Sequence, residues 1–312
     1  MRRPREALKP LGAPTSELVS YRKPDGLILS TGNLYFTYHD AATASVWRAA
    51  QTAVPGQEIL LYSEPGGPFG DIVFAEVDSA FWGYFFAVSG GGTASLKRVP
   101  LTGGSATVLT TVTDVDVENS HRNLVTDGVN LYWQDVQSVR KMPIGGGAVT
   151  ILDAAEPNTP TAGLALQNGN LIYASVADIR YVPVTGATTP PSQRTIFTTS
   201  ERVTALHAVL EFIYWGDDSG VIGVVLADGS SSETIATTGG LIPTSISTSV
   251  HGGVYAQAWT QCGSQSCQLH FDVPEGEDSL YAIAGDAIGV AVAPSGYVFW
   301  GDATGVHRHI PH

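Results

Sequence analysis

The chain has 312 residues with a net charge of −13, and only 14% of its residues are charged. An acidic surface repels phosphate backbones and anionic lipid, so nucleic acid is not expected as a partner. The sequence contains no apolar stretch long enough to span a bilayer, so membrane insertion is not expected either.

The N-terminal segment is predicted to contain one strand. We expect residues 1–14 to be flexible, because they start with a basic run and lack the apolar stretch of a secretory signal. Residues 15–24 are predicted to form a strand that pairs with the last strand of the chain. The abundant Gly, Thr, Ser and Val residues favour short strands and turns over helices throughout the sequence.

An aromatic motif recurs along the rest of the chain. Each copy places aromatic residues in a short apolar run that follows a turn, and the copies are marked by Tyr35, Trp82, Tyr132, Tyr173, Tyr214, Tyr255 and Phe299. Successive markers are 41 to 50 residues apart, with a mean of 44. Self-similarity at such a period indicates a repeat architecture.

Each repeat is predicted to form four strands. A strand of small apolar residues precedes the aromatic strand, and a strand that ends in Pro follows it, as at Pro100, Pro143 and Pro183. A short β-branched strand completes the unit. Four strands in each repeat are typical of a β-propeller blade. We therefore predict an all-β, single-domain, seven-bladed β-propeller, with blades that start near residues 25, 70, 120, 160, 203, 243 and 288.

The seventh repeat is incomplete. The chain ends at His312 after three of its four strands, and residues 16–23 can supply the fourth. This pairing would cover the exposed edge of the last blade and fasten the ring.

The aromatic motifs resemble those of the YWTD-like repeat propellers, as in lipoprotein-receptor ectodomains and secreted bacterial relatives. The shared elements are Leu131-Tyr132-Trp133, Tyr214-Trp215-Gly216-Asp217 and Phe299-Trp300-Gly301-Asp302. Receptor propellers of this type have six blades, whereas seven blades are closer to the streptogramin-lyase-like propellers. Those propellers place a Glu and His residues in the central funnel, and no Glu-x-His motif is found here. The resemblance therefore implies the fold and leaves the activity open.

Residues 114–123 form the densest polar cluster of the sequence and would lie at the mouth of the propeller. The cluster contains Glu118, His121 and Arg122, which do not recur between repeats. His121 is a candidate general base, and Arg122 could hold a carboxylate or an enolate oxygen. His207, on the first strand of the fifth blade, is a further catalytic candidate, with a satisfied core histidine as the alternative.

Candidates for ligand binding lie at or next to the turns that follow the aromatic strands, except for Arg202, which ends the loop before blade 5. They are Tyr38, His39, Trp133, Asp135, Arg202, Trp215, Asp217, Trp300 and Asp302. For the Asp residues the alternative is turn capping, because they recur after several aromatic strands. For the Trp residues the alternative is packing between blades, because their spacing is regular. The sequence contains no metal-binding or cofactor-binding motif, so no metal or cofactor is predicted.

Cys262 and Cys267 enclose four residues that are rich in Gly and Ser. This spacing predicts a hairpin tip closed by a disulfide, with free thiols as the alternative. A disulfide favours an extracytoplasmic location, although the cytoplasm stays open.

Two functions are compatible with the sequence. The first is a non-enzymatic propeller that binds a small molecule, a protein or a peptide at the central funnel and acts as a monomer. The second is a metal-independent lyase, isomerase or hydrolase that acts on a small metabolite in the funnel, with His121 as the general base. Convergence of Glu118, His121, Arg122, His207 and Tyr38 around a deep pocket would favour the enzyme.

Overall fold

The computed structural model of the protein describes residues 16–30, 32–67, 69–78, 80–90, 93–113, 124–135, 138–154, 163–186, 194–251, 254–263, 267–272, 279–283, 289–295 and 297–309. Within these ranges the chain forms strands, and no helix there is long and apolar enough to cross a membrane. In chain order the strands are β1 (Glu17–Ser20), β2 (Pro24–Ser30), β3 (Asn33–His39), β4 (Thr43–Ala50), β5 (Ile59–Pro65), β6 (Phe69–Val77), β7 (Ala80–Gly90), β8 (Thr93–Pro100), β9 (Thr107–Thr113), β10 (Leu124–Thr126), β11 (Asn130–Gln134), β12 (Ser138–Pro143), β13 (Thr150–Ala154), β14 (Leu164–Gln167), β15 (Asn170–Ser175), β16 (Asp178–Pro183), β17 (Thr195–Thr198), β18 (Val203–Val209), β19 (Phe212–Asp217), β20 (Val221–Leu226), β21 (Ser232–Thr237), β22 (Ile242–His251), β23 (Val254–Cys262), β24 (Cys267–Asp272), β25 (Ser279–Ile283), β26 (Val290–Val292), β27 (Val298–Asp302) and β28 (Gly305–His309).

The strands form seven antiparallel sheets of four strands each. Blades 1 to 6 are the consecutive quartets β2–β5, β6–β9, β10–β13, β14–β17, β18–β21 and β22–β25. The first strand of each blade contacts the first strand of the next blade, and β26 contacts β2. These first strands therefore form the innermost ring around a central axis. The predicted all-β, seven-bladed β-propeller is confirmed.

Blade 7 is completed by the N-terminal strand, as predicted. Its strand order is β1-β28-β27-β26, with Glu17 opposite Arg308. The guanidinium of Arg308 donates to the carboxylate of Glu17 and to the backbone carbonyl of Gln51 in blade 1. Val19 is fully buried and packs in the core between blades 7 and 1. One short strand thus covers the edge of β28 and joins the two ends of the ring.

The apolar cores lie between neighbouring blades, and aromatic residues of the second strands fill them. Tyr132 and Trp133 of β11 are fully buried, and the ring of Trp133 lies 6.1 Å from that of Phe86 in blade 2, edge to face. The inner strands are also tied together, because the hydroxyl of Ser245 in β22 accepts a hydrogen bond from the amide of Val290 in β26. The repeated aromatic motif is therefore the repeat of these packing contacts.

A buried polar network joins blades 3 and 4. Arg194, which is 1% exposed, donates from Nη1 and Nη2 to the carboxylate of Asp153 at 2.5 and 2.9 Å. The hydroxyl of Tyr173 donates to the same carboxylate. Burial and the neighbouring Asp153 charge both raise the pKa of Tyr173, so its hydroxyl keeps its proton.

The hairpin between β23 and β24 carries the predicted disulfide. Cys262 ends β23 and Cys267 starts β24, and the two are directly paired across the hairpin and bonded to each other. Cys267 is buried in the core that blade 6 shares with blade 7.

Candidate functional site

The predicted catalytic cluster falls only partly within the described chain. Glu118, His121 and Arg122 belong to residues 114–123 and lie outside the described residues. His207 lies on β18 in the innermost ring, and its ring nitrogens have no hydrogen-bond partner in the part of the chain that is described. Burial lowers the pKa of His207 to about 4, so its imidazole is neutral and weakly basic at neutral pH.

The predicted tryptophans lie in the cores between blades. Trp133, Trp215 and Trp300 are each at most 5% exposed, and each belongs to an apolar cluster. A ligand could reach these rings only if neighbouring blades separated. Their positions are those expected for tryptophans that pack between blades.

The predicted Asp residues accept hydrogen bonds from residues of their own turns. Oδ1 of Asp135 accepts hydrogen bonds from the amide and the hydroxyl of Ser138 at 2.8 and 3.0 Å. In the same way, Oδ1 of Asp217 accepts hydrogen bonds from the amide and the hydroxyl of Ser219. Oδ1 of Asp302 accepts the corresponding bonds from Thr304. These contacts match the capping alternative.

Two pairs of ionisable side chains lie at the same end of the ring as these turns. Nε of Arg202 is 3.2 Å from Oδ2 of Asp218. Nδ1 of the exposed His39 is 2.7 and 2.8 Å from the two carboxylate oxygens of the buried Asp25. Burial raises the pKa of Asp25 by more than the hydrogen bond and charge of His39 lower it. Across the described ranges, no three His, Cys, Asp or Glu side chains are grouped as a metal site would require.

A cleft of about 630 Å³ lies at the closing seam, which we define as the place where β1 and residues 21–22 meet blade 1. Of the predicted site residues described above, Tyr38 lines it. The lining residues come from the closing segment and from the outer face of blade 1: Tyr21, Arg22, Tyr38, Asp40, Thr43, Ser45, Trp47, Pro55, Gly56, Glu58, Leu60 and Ser63.

One wall of the cleft is a cation–π contact. The guanidinium carbon of Arg22 lies 3.7 Å from the ring centroid of Trp47, and its Nη1 is 3.3 Å from Oε1 of the buried Glu58. Burial raises the pKa of Glu58, but hydrogen bonds from Ser20 and backbone amides and the Arg22 charge outweigh it, so that the pKa is lowered. Nε1 of Trp47 donates to Oγ of Ser45 at 2.8 Å. The side chains of Arg22 and Trp47, which line the cleft, are therefore held in place by contacts with Glu58 and Ser45.

The opposite wall carries an exposed carboxylate. Oδ1 of Asp40 accepts hydrogen bonds from the amides of Ala42 and Thr43, both at 2.8 Å, and these bonds lower its pKa. Its Oδ2 has no partner among the described side chains and amides. The charges of Arg22 and Glu58 cancel each other. The carboxylate of Asp40 therefore gives the lining of the cleft one net negative charge. Tyr21, at 75% exposure, adds an accessible aromatic ring.

Comparison with known proteins supports the seven-bladed β-propeller class. No family model matches the sequence, and no curated protein matches it, so the likeness to YWTD-like repeats has no support from a sequence family. Among solved structures, the chain is similar to a streptogramin B lyase, with 15% identity, a TM-score of 0.67, and coverage of 94% of this chain and 96% of the other. It is similar to the WD40 β-propeller domain of Doa1, with 11% identity, a TM-score of 0.61, and coverage of 95% and 96%. It is also similar to the computationally designed Ika8 protein, with 11% identity, a TM-score of 0.60, and coverage of 95% and 100%. At these identities the similarity shows the fold alone.

Several residues of these arrangements were not predicted as site residues, among them Arg22, Asp25, Trp47 and Glu58. Trp47 carries a sequence signal, because it lies on the third strand of its blade whereas the marker aromatics lie on second strands. Arg22 lies within the predicted closing segment. Nothing in the sequence pairs it with Trp47, because that contact depends on how blade 7 meets blade 1.

Proposed function

We propose that this chain is a non-enzymatic ligand-binding β-propeller whose ligand occupies the closing-seam cleft rather than the central funnel. The observation that carries the proposal is the cleft itself, whose volume of about 630 Å³ falls within the range of small-molecule sites. Three aromatic side chains line it together with polar and charged groups, which can stack on a ligand and orient it.

A cleft-filling variant tests this function. Ser63 lies on the outermost strand of blade 1 and lines the cleft, so Ser63→Trp should fill it without disturbing a core. Ser232, exposed on the outermost strand of blade 5, provides the matched control Ser232→Trp. The assay is a thermal-shift screen of a small-molecule library against the two variants and the wild type.

We expect compounds that stabilise the wild type and the Ser232→Trp variant but not the Ser63→Trp variant. A compound at 100 times its Kd adds about 2.7 kcal/mol to the free energy of unfolding, which the screen resolves as a shift of several degrees. If every stabilising compound acts equally on the two tryptophan variants, the ligand site lies elsewhere.

The alternative function is a metal-independent lyase, isomerase or hydrolase. Two observations favour it: the similarity to a protein named streptogramin B lyase, and the His39–Asp25 pair at the mouth of the ring. A carboxylate on Nδ1 orients an imidazole and leaves Nε2 able to take a proton. His121 keeps its proposed role as general base in the same alternative.

Incubation with streptogramin B, followed by mass spectrometry, tests the enzyme directly. Turnover by the wild type that is lost in the His39→Ala or the His121→Ala variant would favour the enzymatic function and would identify the substituted histidine as the general base. If streptogramin B is recovered unchanged, the substrate that the structural similarity suggests is excluded.

We further propose that the chain acts as a monomer in an extracytoplasmic compartment. The disulfide between Cys262 and Cys267 supports the compartment, because such bonds persist where the environment is oxidising. Mass spectrometry of alkylated protein from its native source reports the thiols, and light scattering reports the oligomeric state. Two alkylated cysteines would refute the compartment, and a dimer mass would refute the monomer.

A further inference from the structure

Several blades, blades 3, 4, 6 and 7 among them, place a basic side chain at one position of the third strand. The position is directly opposite an aromatic residue of the second strand, as Arg140 is opposite Trp133 and His307 is opposite Trp300. Arg180 and His270 occupy it in blades 4 and 6.

In blades 3 and 4 this arginine pairs with a carboxylate next to the turn, and in blade 7 the histidine lies within hydrogen-bond distance of one. Nε of Arg140 is 2.5 Å from Oδ2 of Asp135, and Nε2 of His307 is 3.0 Å from Oδ1 of Asp302. Nε of Arg140 also donates to the hydroxyl of Ser138 at 2.7 Å. In blade 3 the arrangement is therefore an aromatic residue, a cation directly opposite it, and a turn carboxylate and a hydroxyl that both contact the cation.

Blade 1 has every part of this arrangement except the cation. Tyr38 takes the place of the aromatic residue, Asp40 that of the turn carboxylate and Thr43 that of the hydroxyl. The residue opposite Tyr38 is Ser45, whose short side chain cannot reach Asp40. All four residues line the cleft, so the cleft lies where the other blades hold a basic side chain.

Arg22 shows that the remaining wall also suits a guanidinium. Its guanidinium lies over Trp47 and beside Glu58. Since Glu58 already neutralises Arg22, the charge left to attract a ligand is that of Asp40. The charge of the whole chain, −13, has the same sign and favours the approach of cations.

We propose that the closing-seam cleft binds a guanidinium-bearing ligand, whose cation occupies the place over Ser45 that Arg140 fills in blade 3. The guanidinium contacts the carboxylate of Asp40 and the hydroxyl of Thr43, and it stacks on the ring of Tyr38. The inference rests on the proposed function and specifies its ligand class.

Acetyl-arginine amide and its neutral isostere acetyl-citrulline amide test the charge. Isothermal titration with the full chain should give at least tenfold tighter binding of the arginine compound, and affinity should fall as salt is raised. A blocked glycine pentapeptide with a central arginine shows whether the guanidinium belongs to a peptide or to a free compound. If the pentapeptide binds more tightly than acetyl-arginine amide, the ligand is a peptide, and if the two bind equally, it is a free compound. Both results support the proposal.

Asp40→Asn tests the contact, because Asn retains the Oδ1 acceptor of the turn and removes the charge. The variant should lose two- to fivefold in affinity for acetyl-arginine amide, as expected for one exposed charge pair. Asp228→Asn is the matched control, since Asp228 is also an exposed turn residue whose Oδ1 holds an amide, but far from the cleft. The same titration with Ser45→Arg, which supplies the missing cation in the chain itself, should abolish binding. If that variant does not fold, Asp40→Asn still decides.

Equal binding of the arginine and citrulline compounds, no binding of either, or equal losses in the two Asn variants would overturn the guanidinium assignment. The proposed function fails separately, when no library compound distinguishes Ser63→Trp from Ser232→Trp.

Discussion

Ring closure by β1 predicts a specific loss of stability when Val19 is shortened. Val19 is 0% exposed and packs between blades 7 and 1. Val19→Ala removes two methyl-sized groups, worth about 1.6 kcal/mol of transfer free energy at 0.8 kcal/mol each. A residual cavity of roughly 50 Å³ would add about 1 kcal/mol at 24 cal/mol per Å³. We therefore expect the free energy of unfolding to fall by about 2 to 3 kcal/mol.

Urea unfolding followed by tryptophan fluorescence measures this loss. The matched control is Val108→Ala on β9, because that strand is also the outermost of its blade and Val108 is 54% exposed. The control should change stability by less than about 0.5 kcal/mol. Equal effects of the two substitutions would mean that β1 contributes no more than a surface strand, and the account of ring closure would be refuted.

Three further predictions concern buried polar groups and the disulfide. Arg194→Met should lower the free energy of unfolding by about 3 to 5 kcal/mol, because Asp153 is left buried without its cation; thermal unfolding measures it, and a loss below 1 kcal/mol contradicts it. Replacing Cys262 and Cys267 by Ser should cost about 2 kcal/mol in the same assay, from the short loop that they close, and reductant should then have no further effect. The pKa of His207 is about 4 in the folded chain and 6.5 in the unfolded reference, so the unfolded state takes up the proton first. Stability should therefore fall as pH is lowered from 6.5 to 4, and His207→Gln should flatten that part of the profile.

The fold was predictable because packing between blades repeats in the sequence. Each blade needs a bulky aromatic second strand to fill the space to its neighbour, so residues such as Tyr132 and Tyr214 recur at a nearly constant period. The unpaired edge of β28 made the closing strand predictable too, since a propeller that ends in a three-stranded blade needs a fourth strand.

The cleft was not predictable because it depends on register and on a contact between the closing segment and blade 1. The sequence places Tyr38 and Ser45 on neighbouring strands but does not show that they are directly opposite each other. The loss of the basic residue in blade 1 becomes visible only when this pair is compared with Trp133 and Arg140. The sequence does not show that Arg22 lies over Trp47 either.

Blade 5 shows why a missing basic residue does not by itself create a cleft. Its residue opposite Trp215 is Gly223, which has no side chain to place a cation beside the turn carboxylate of Asp217. Oδ2 of Asp217 is buried and has no partner within the described part of the chain. However, the indole of Trp215 occupies the vacated space, because a Cβ built on Gly223 would lie 2.4 Å from Cζ2 of that ring. In blade 1 the smaller Tyr38 stands where the indole would be. An accessible cation site therefore requires two departures from the repeat, the short third-strand residue and the smaller aromatic partner, and Tyr38→Trp should close the cleft even though Asp40 and Ser45 are unchanged.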